Sequence, residues 1–218
     1  MPAQLDAAQL IWILPAACAL TDWAAVARGD RRTETWAKPA TLASLIVAAV
    51  VLGAASDSAG VWLLVALAFG LLGDVALLSD SLPRFKAGVA AFLVGHLAFL
   101  VCFADLGLPR PAWSWAVFAV LAVSVVVTRD VVPRCHRLGG ASLSVPVAVY
   151  TAVIGAMLVC AWFTGEWLVA LGATVFVSSD ATLSVDRFVR PIPHAKLALM
   201  VTYHLGQALI VAGVLAAT

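Results

Sequence analysis

The chain has 218 residues, of which 63% are hydrophobic and only 11% charged, and its formal net charge is +1. Soluble domains carry about 25% charged residues, so the composition excludes a soluble globular protein and indicates an integral membrane protein. The nearly balanced charge gives no reason to expect a nucleic-acid partner. We expect one transmembrane domain over residues 1–218.

Windows of about 20 apolar residues, the length that crosses a hydrocarbon core, predict an all-α polytopic bundle with about eight transmembrane helices. The predicted spans in chain order are 7–27, 40–56, 60–79, 86–104, 113–128, 142–163, 166–183 and 195–217. The longest polar segments are 28–39, 129–141 and 184–194, and we expect these to be loops.

The basic residues indicate how the helices are oriented. If the loops alternate between the two sides, every Lys and Arg except Arg110 falls on one side. The positive-inside rule then places the first, third, fifth and seventh loops in the cytoplasm and both termini outside. A sequence rich in Ala and Val is typical of a GC-rich bacterium, so we expect a multi-pass protein of the bacterial inner membrane.

Two aspartates lie within predicted spans, Asp74 in the third and Asp180 in the seventh, each near the cytoplasmic end. A carboxylate at such a depth costs about 2.5–3.5 kcal/mol on insertion scales, so each is expected to be a functional group that faces the bundle interior. The alternative is a carboxyl that only holds helices together through hydrogen bonds. Ser, Thr or Asn would more often serve that purpose, which favours the functional role.

Other polar side chains in the spans are few. Tyr203 and Gln207 are four residues apart and share one face of the eighth helix, whereas His204 points about 100° away. Tyr150 lies midway along the sixth span and His96 midway along the fourth. Either histidine could instead be a packing residue whose nitrogens are satisfied locally.

A metal site was weighed because two His and two Asp occur in one bundle. No His pair has the H-x-x-x-H or H-E-x-x-H spacing that forms a ligand pair on one helix, so we predict no metal and no cofactor. Asp22 and Asp80 lie near helix ends, where we expect them to meet solvent at the membrane interface.

The Asp-bearing helix pairs hint at an internal repeat. Asp74 precedes His96 by 22 residues and Asp180 precedes His204 by 24, four helices further along the chain. Two parallel four-helix repeats would produce this pattern. Chance similarity between apolar helices is the alternative.

Four short motifs occur in a specific order: Gly73-Asp74, the series Phe85, Gly88, Phe92 and His96, then Ser179-Asp180, and Tyr203 with Gln207. Together they resemble the membrane family that includes the lysoplasmalogenases, the bacterial YhhN proteins and the mammalian TMEM86 proteins. The resemblance implies hydrolysis of the vinyl ether bond of a lysoplasmalogen. The products would be a fatty aldehyde and glycerophosphoethanolamine or glycerophosphocholine.

That reaction needs an acid, a negative charge and a water, because protonation of a vinyl ether carbon creates an oxocarbenium ion. Two neighbouring buried carboxyls can differ in protonation, so one keeps its proton while the other is ionised. We expect Asp74 and Asp180 to be the catalytic pair, one as acid and one as stabiliser, as in glycosidases. The sequence leaves open which residue has which role.

The remaining site residues are expected to bind the lysophospholipid substrate. Hydrogen bonds to the water, to the hemiacetal intermediate or to the headgroup are expected from Tyr150, Tyr203 and Gln207. A histidine, His96 or His204, would relay protons. Ser179 is also expected to bind the substrate. The headgroup phosphate could contact Arg84, Lys86, Arg187 or Arg190. Ordinary positive-inside topology is the alternative explanation for these basic residues.

Two other functions fit the same pattern. Paired carboxylates within a membrane also suit a proton-coupled transporter of a lipid or small molecule. An enzyme of this fold could also hydrolyse a different lysolipid. The oligomeric state is not indicated, and the expected partners are the substrate and membrane lipids.

Overall fold

The computed structural model describes residues 10–79, 81–110, 124–125 and 128–218. Within these ranges the chain is helical, apart from short connections and a 3-10 turn over Ala54–Ser56, which confirms the predicted all-α class. The helices with both ends described are α1 (Ile13–Arg28), α2 (Arg31–Val51), α3 (Ser58–Ala76), α4 (Leu82–Asp105), α5 (Val132–Gly139), α6 (Ala141–Thr164), α7 (Trp167–Phe188) and α8 (Ala195–Ala217).

Six helices among the described residues are long and apolar enough to cross a membrane, namely α2, α3, α4, α6, α7 and α8. They match six of the predicted spans. The first predicted span corresponds to α1, which has 16 residues. The fifth, 113–128, lies almost entirely outside the described residues, so the repeat that depends on it remains a prediction.

Two of the three expected loops are largely helical, and the prediction was wrong there. Helix α2 begins at Arg31 because Asp30 caps it: the Asp30 side chain accepts hydrogen bonds from the backbone N–H groups of Arg32 and Thr33. These bonds and the Thr33 hydroxyl lower the pKa of Asp30. The segment 129–141 contains α5, and α7 continues to Phe188, past the predicted end of its span.

The helices pack in chain order around the bundle. Helix α1 packs on α2, α2 on α3, α3 on α4, α4 on α6, α6 on α7 and α7 on α8. Helix α8 then returns to contact α1, α2 and α3, and α5 packs on α6. Because α8 touches helices from both halves of the chain, its side chains can meet residues that are far apart in sequence.

Small residues let α7 and α8 approach closely. A Cβ atom on Gly206 would lie 2.8 Å from the backbone nitrogen of Phe176 and 3.0 Å from the carbonyl oxygen of Gly172. Close backbone contact of this kind is how helices associate in lipid, where hydrophobic burial gives little driving force. It fixes the position of α8 relative to α7, and therefore of Tyr203 relative to Asp180.

We expect Gly206→Leu to destabilise the protein by about 1–3 kcal/mol, because the added side chain overpacks a backbone contact. Thermal unfolding in detergent, followed by intrinsic fluorescence, should show a lower Tm. Leu205→Ala is the control, since the neighbouring side chain is 45% exposed and its loss should have little effect. Equal Tm values for the two variants would contradict this account of the interface.

Candidate active site

Asp74 lies in the last turn of α3 and is almost completely buried, with 1% of its surface exposed. Its Oδ1 atom is 3.3 Å from the Lys38 Nζ atom of α2. Its Oδ2 atom accepts a hydrogen bond of 3.0 Å from the Tyr203 hydroxyl of α8. The carboxyl therefore joins three helices and has a cation beside it.

Lys38 is a further candidate site residue, which its position in the sequence did not indicate. The sequence predicts a loop over residues 28–39, but Lys38 lies in α2 and is 6% exposed. Its ammonium group has been moved out of water to pair with Asp74, an arrangement that is costly unless the pair is well matched. Its counter-ion is on another helix, so no local sequence pattern indicates the pair.

Asp180 has a different environment. It lies in α7, is partly buried, and accepts a short hydrogen bond from the Tyr150 hydroxyl of α6. No Lys or Arg of the described chain forms an ion pair with it. Each carboxyl of the predicted pair thus bonds a tyrosine, but only Asp74 also has a cation.

Both carboxyls face one cavity of about 50 Å³ between the helices. No hydrogen bond links the Asp74 and Asp180 carboxyls directly. The third and seventh predicted spans therefore meet at this site only in that each contributes a carboxyl to the wall of the same cavity. Tyr203 interacts electrostatically with both Asp74 and Asp180. The residues that line the cavity are Lys38, Asp74, Leu77, Phe85, Val89, Phe92, Val147, Tyr150, Ser179, Asp180, Leu183, Ser184, Phe188, Leu199, Met200 and Tyr203.

A YhhN family model matches residues 33–214, a range that contains Lys38 and both aspartates. This chain belongs to the YhhN family. The predicted family is thereby confirmed.

Three relatives illustrate the match of this YhhN protein to curated proteins. It is 30% identical to the lysoplasmalogenase TMEM86A of Bos taurus, over 67% of this chain and 62% of that protein. It is also 30% identical to the lysoplasmalogenase TMEM86B of Homo sapiens, over 66% and 59%. The third is a lysoplasmalogenase of Mycobacterium bovis, 30% identical over 70% and 59%. The matches thus span less than two thirds of these relatives' own length, and no solved structure matches the chain.

The other predicted site residues of the YhhN protein are divided between the cavity and its surroundings. Ser179 lines the cavity, and its buried Oγ atom has no hydrogen-bond partner among the residues that the structure describes. Gln207 lies one turn beyond Tyr203 and is 1% exposed. His96 packs edge-on against Tyr150, with ring centroids 5.2 Å apart, and one ring nitrogen bonds the Phe92 carbonyl. His96 is therefore behind the cavity wall.

His204 is on the opposite side of α8. Its Nδ1 atom accepts a 3.0 Å hydrogen bond from the Trp23 indole N–H of α1. It lines a separate groove of about 350 Å³ between α1, α2 and α8. The 100° offset between Tyr203 and His204 thus separates them, and His204 does not line the cavity that holds the carboxyls.

Gly73, which precedes Asp74 in the first motif, lies against α4. A Cβ atom at this position would lie 2.6 Å from the ring of Phe92, so the glycine makes room for an α4 side chain that lines the cavity.

Asp22 was expected at the solvent interface, which is wrong, because it is fully buried in α1. Asp80 lies outside the described residues.

One of the basic residues lies at an aromatic edge of the cavity. The Arg187 guanidinium sits 3.9 Å from the centre of the Phe85 ring, and Phe85 packs edge-on against Phe188. Lys86 instead donates a hydrogen bond to Ser142.

Within the described residues, no group of three or more His, Cys, Asp or Glu side chains could hold a metal ion.

We expect Lys38→Met to destabilise the protein by about 3–5 kcal/mol, because it leaves a buried carboxylate without its cation. Adding Asp74→Asn should restore part of the lost Tm, since it removes the unpaired charge. Lys196→Met is the matched control: it breaks the Lys196–Glu34 pair, whose lysine is 53% exposed, and a loss of about 0–1 kcal/mol is expected for a pair that reaches the surface. A Tm for Lys38→Met as high as that of the control would contradict a buried ion pair.

Proposed function

We propose that this YhhN protein is a membrane-embedded lysoplasmalogenase. It would hydrolyse the vinyl ether bond of a lysoplasmalogen to a fatty aldehyde and glycerophosphoethanolamine or glycerophosphocholine. The observation that carries the proposal is a single cavity faced by two carboxyls with unequal partners. Similarity to relatives named lysoplasmalogenase supports it.

Asp180 is the better candidate for the acid. Burial disfavours an isolated charge, and among the described residues only the neutral Tyr150 phenol donates a hydrogen bond to Asp180. With no cation paired to it, a neutral carboxylic acid is the favoured state, and its proton can be given to the vinyl carbon β to oxygen. Tyr150 would hold the carboxyl in orientation.

Asp74 is then the stabiliser. Lys38 and the Tyr203 hydroxyl both favour its ionised form, and a fixed carboxylate in a dry site strongly stabilises a developing positive charge. Protonation by Asp180 leaves an oxocarbenium ion whose charge is shared by the ether oxygen and its α carbon. A carboxylate facing the same cavity would lower the energy of that ion.

Water completes the reaction. It adds to the α carbon and returns a proton to Asp180, which leaves a neutral hemiacetal. The hemiacetal then collapses: Asp180 protonates the glycerol oxygen as its bond to carbon breaks, the hydroxyl of the hemiacetal returns its proton to Asp180 through a water, and an aldehyde forms. Tyr203 and Ser179, which line the cavity, would hydrogen-bond the water or the hemiacetal.

The substrate would occupy the cavity only with its reacting group. A volume of about 50 Å³ suits a vinyl ether rather than a whole lipid, so the alkenyl chain would extend between the helices toward the bilayer. Arg187, at the Phe85 edge, would contact the headgroup phosphate. With both termini outside, that edge faces the cytoplasm of a bacterial inner membrane.

The deciding experiment is release of fatty aldehyde from lysoplasmenylethanolamine by the purified protein in detergent. We expect the wild type to be active, and Asp74→Asn and Asp180→Asn each to lose at least about 100-fold in kcat, as is typical when an acid or a fixed stabilising charge is removed. Asp105→Asn is the matched control, because this carboxyl is exposed at the far end of α4.

Full activity in both variants with folded protein would rule out the catalytic pair. Folded wild type that releases no aldehyde would reject the lysoplasmalogenase. Product from an acyl or alkyl lysolipid would then identify a hydrolase with another substrate. Movement of unchanged substrate across sealed vesicles would identify a transporter.

The headgroup contact gives a second kinetic test. Arg187→Gln should raise KM about three- to tenfold and leave kcat unchanged, because an exposed charge contact contributes modestly and the residue is away from the carboxyls. Arg28→Gln, at the exposed end of α1, should leave both constants unchanged. A fall in kcat for Arg187→Gln at constant KM would contradict a headgroup role.

A further inference from the structure

The groove between α1, α2 and α8 is a site that the proposed reaction does not use. Its volume is about 350 Å³, near the lower end of the usual range for ligand sites, about 300–1,000 Å³, so it has room for one lipid chain. Its wall is almost entirely apolar. Leu20 and Leu205 line it and are 60% and 45% exposed. Since α8 is long and apolar enough to cross a membrane, the groove opens toward lipid.

His204 provides a hydrogen-bond donor in the wall of this groove. The Trp23 indole N–H can only donate, so the His204 Nδ1 atom that accepts its hydrogen bond carries no proton. The single proton of this neutral imidazole is therefore on Nε2. The side chain is 4% exposed, and Nε2 has no hydrogen-bond partner among the described residues. A buried donor is costly to leave without an acceptor, which indicates that a ligand supplies one.

Water is a poor occupant for the groove. A buried water needs two to four polar partners, and apolar cavities stay dry. The Thr41 hydroxyl already donates to the Ala37 carbonyl, and the Trp23 N–H is bonded to His204. The wall therefore favours an apolar molecule that carries its own acceptor.

The depth of His204 limits which acceptor can reach it. Helix α8 begins at Ala195, so at 1.5 Å per residue His204 is about 14 Å along the helix, near the middle of a hydrocarbon core about 30 Å thick. A charged headgroup is costly at this depth. An alcohol or a protonated acid would add a donor that needs an acceptor in turn, whereas a carbonyl only accepts. The matching ligand is one long chain that ends in an uncharged carbonyl.

We propose that the groove binds a fatty aldehyde, whose carbonyl oxygen accepts a hydrogen bond from His204 Nε2–H. This inference rests on the proposed function, because a fatty aldehyde is the product of the proposed hydrolysis. Helix α8 separates the groove from the catalytic cavity: Tyr203 lines the cavity and His204 lines the groove. An aldehyde held in the groove leaves the cavity free for the next substrate.

The test compares two inert probes, the long-chain ketone 2-heptadecanone and the alkane heptadecane, which lacks the oxygen. Tryptophan fluorescence in maltoside micelles reports binding, since Trp12 and Trp23 line the groove. The wild type should bind the ketone about three- to tenfold more tightly than the alkane, the effect of one hydrogen bond. His204→Phe should bind the two probes equally. His204→Gln, which keeps a donor and an acceptor for Trp23, should restore a preference for the ketone.

Other variants keep the test decisive if His204→Phe does not fold. Ala208→Phe fills the groove and should abolish binding of both probes. Val101→Phe is the matched control, because this side chain is on an exposed face of α4, and it should bind both probes as the wild type does. Asp180→Asn should also bind the ketone normally, because Asp180 lines the cavity and not the groove.

Equal affinities of the wild type for the two probes would overturn the proposal. So would a ketone preference that persists in His204→Phe, or one that is lost in Asp180→Asn. Hexadecanal should displace the ketone. Displacement by an acyl lysophospholipid and not by hexadecanal would identify a lipid ester as the ligand and reject the aldehyde site.

Probe binding needs no turnover, so it separates this inference from the proposed function. A ketone preference that depends on His204, in a protein that releases no aldehyde from lysoplasmenylethanolamine, would support the carbonyl site and reject the lysoplasmalogenase. Release of aldehyde by a protein without that preference would support the enzyme and reject the site.

Discussion

The structure depends on the buried ion pair between Lys38 and Asp74. Transfer of two charges out of water costs several kcal/mol per ion, and mutual attraction repays it only in good geometry. Here the pair lies where α2, α3 and α8 meet, and the Tyr203 hydroxyl supplies a further hydrogen bond. An apolar pair would hold these helices together at lower cost, so the retained charge is best explained by chemistry.

The two carboxyls differ because their neighbouring helices differ. Asp74 receives a cation from α2, whereas Asp180 meets only a phenol from α6. In the proposed mechanism, that asymmetry distinguishes the acid from the stabiliser without a hydrogen bond between the aspartates. It also depends on α8, whose close glycine contact with α7 sets Tyr203 between the two groups and directs His204 toward α1.

The sequence predicted what depends on local pattern. Apolar length located the spans, and the rarity of carboxylates in lipid singled out Asp74 and Asp180. The spacing of Tyr203 and Gln207 predicted their common face. Lys38 could not be found in this way, because hydropathy counts a buried lysine as a loop residue and its partner is on another helix. The early start of α2 was readable from Asp30 and Thr33, a local cap that the hydropathy window concealed.

Helix α1 illustrates a limit of identifying transmembrane helices by apolar length alone. Helix α1 is the shortest of the helices that follow the predicted spans, and by length alone it contributes least to crossing the bilayer. Yet it packs on both α2 and α8, the helices that supply Lys38 and Tyr203. Helix α1 thus supports the two helices that supply these site residues, although it contributes no residue to the wall of the cavity.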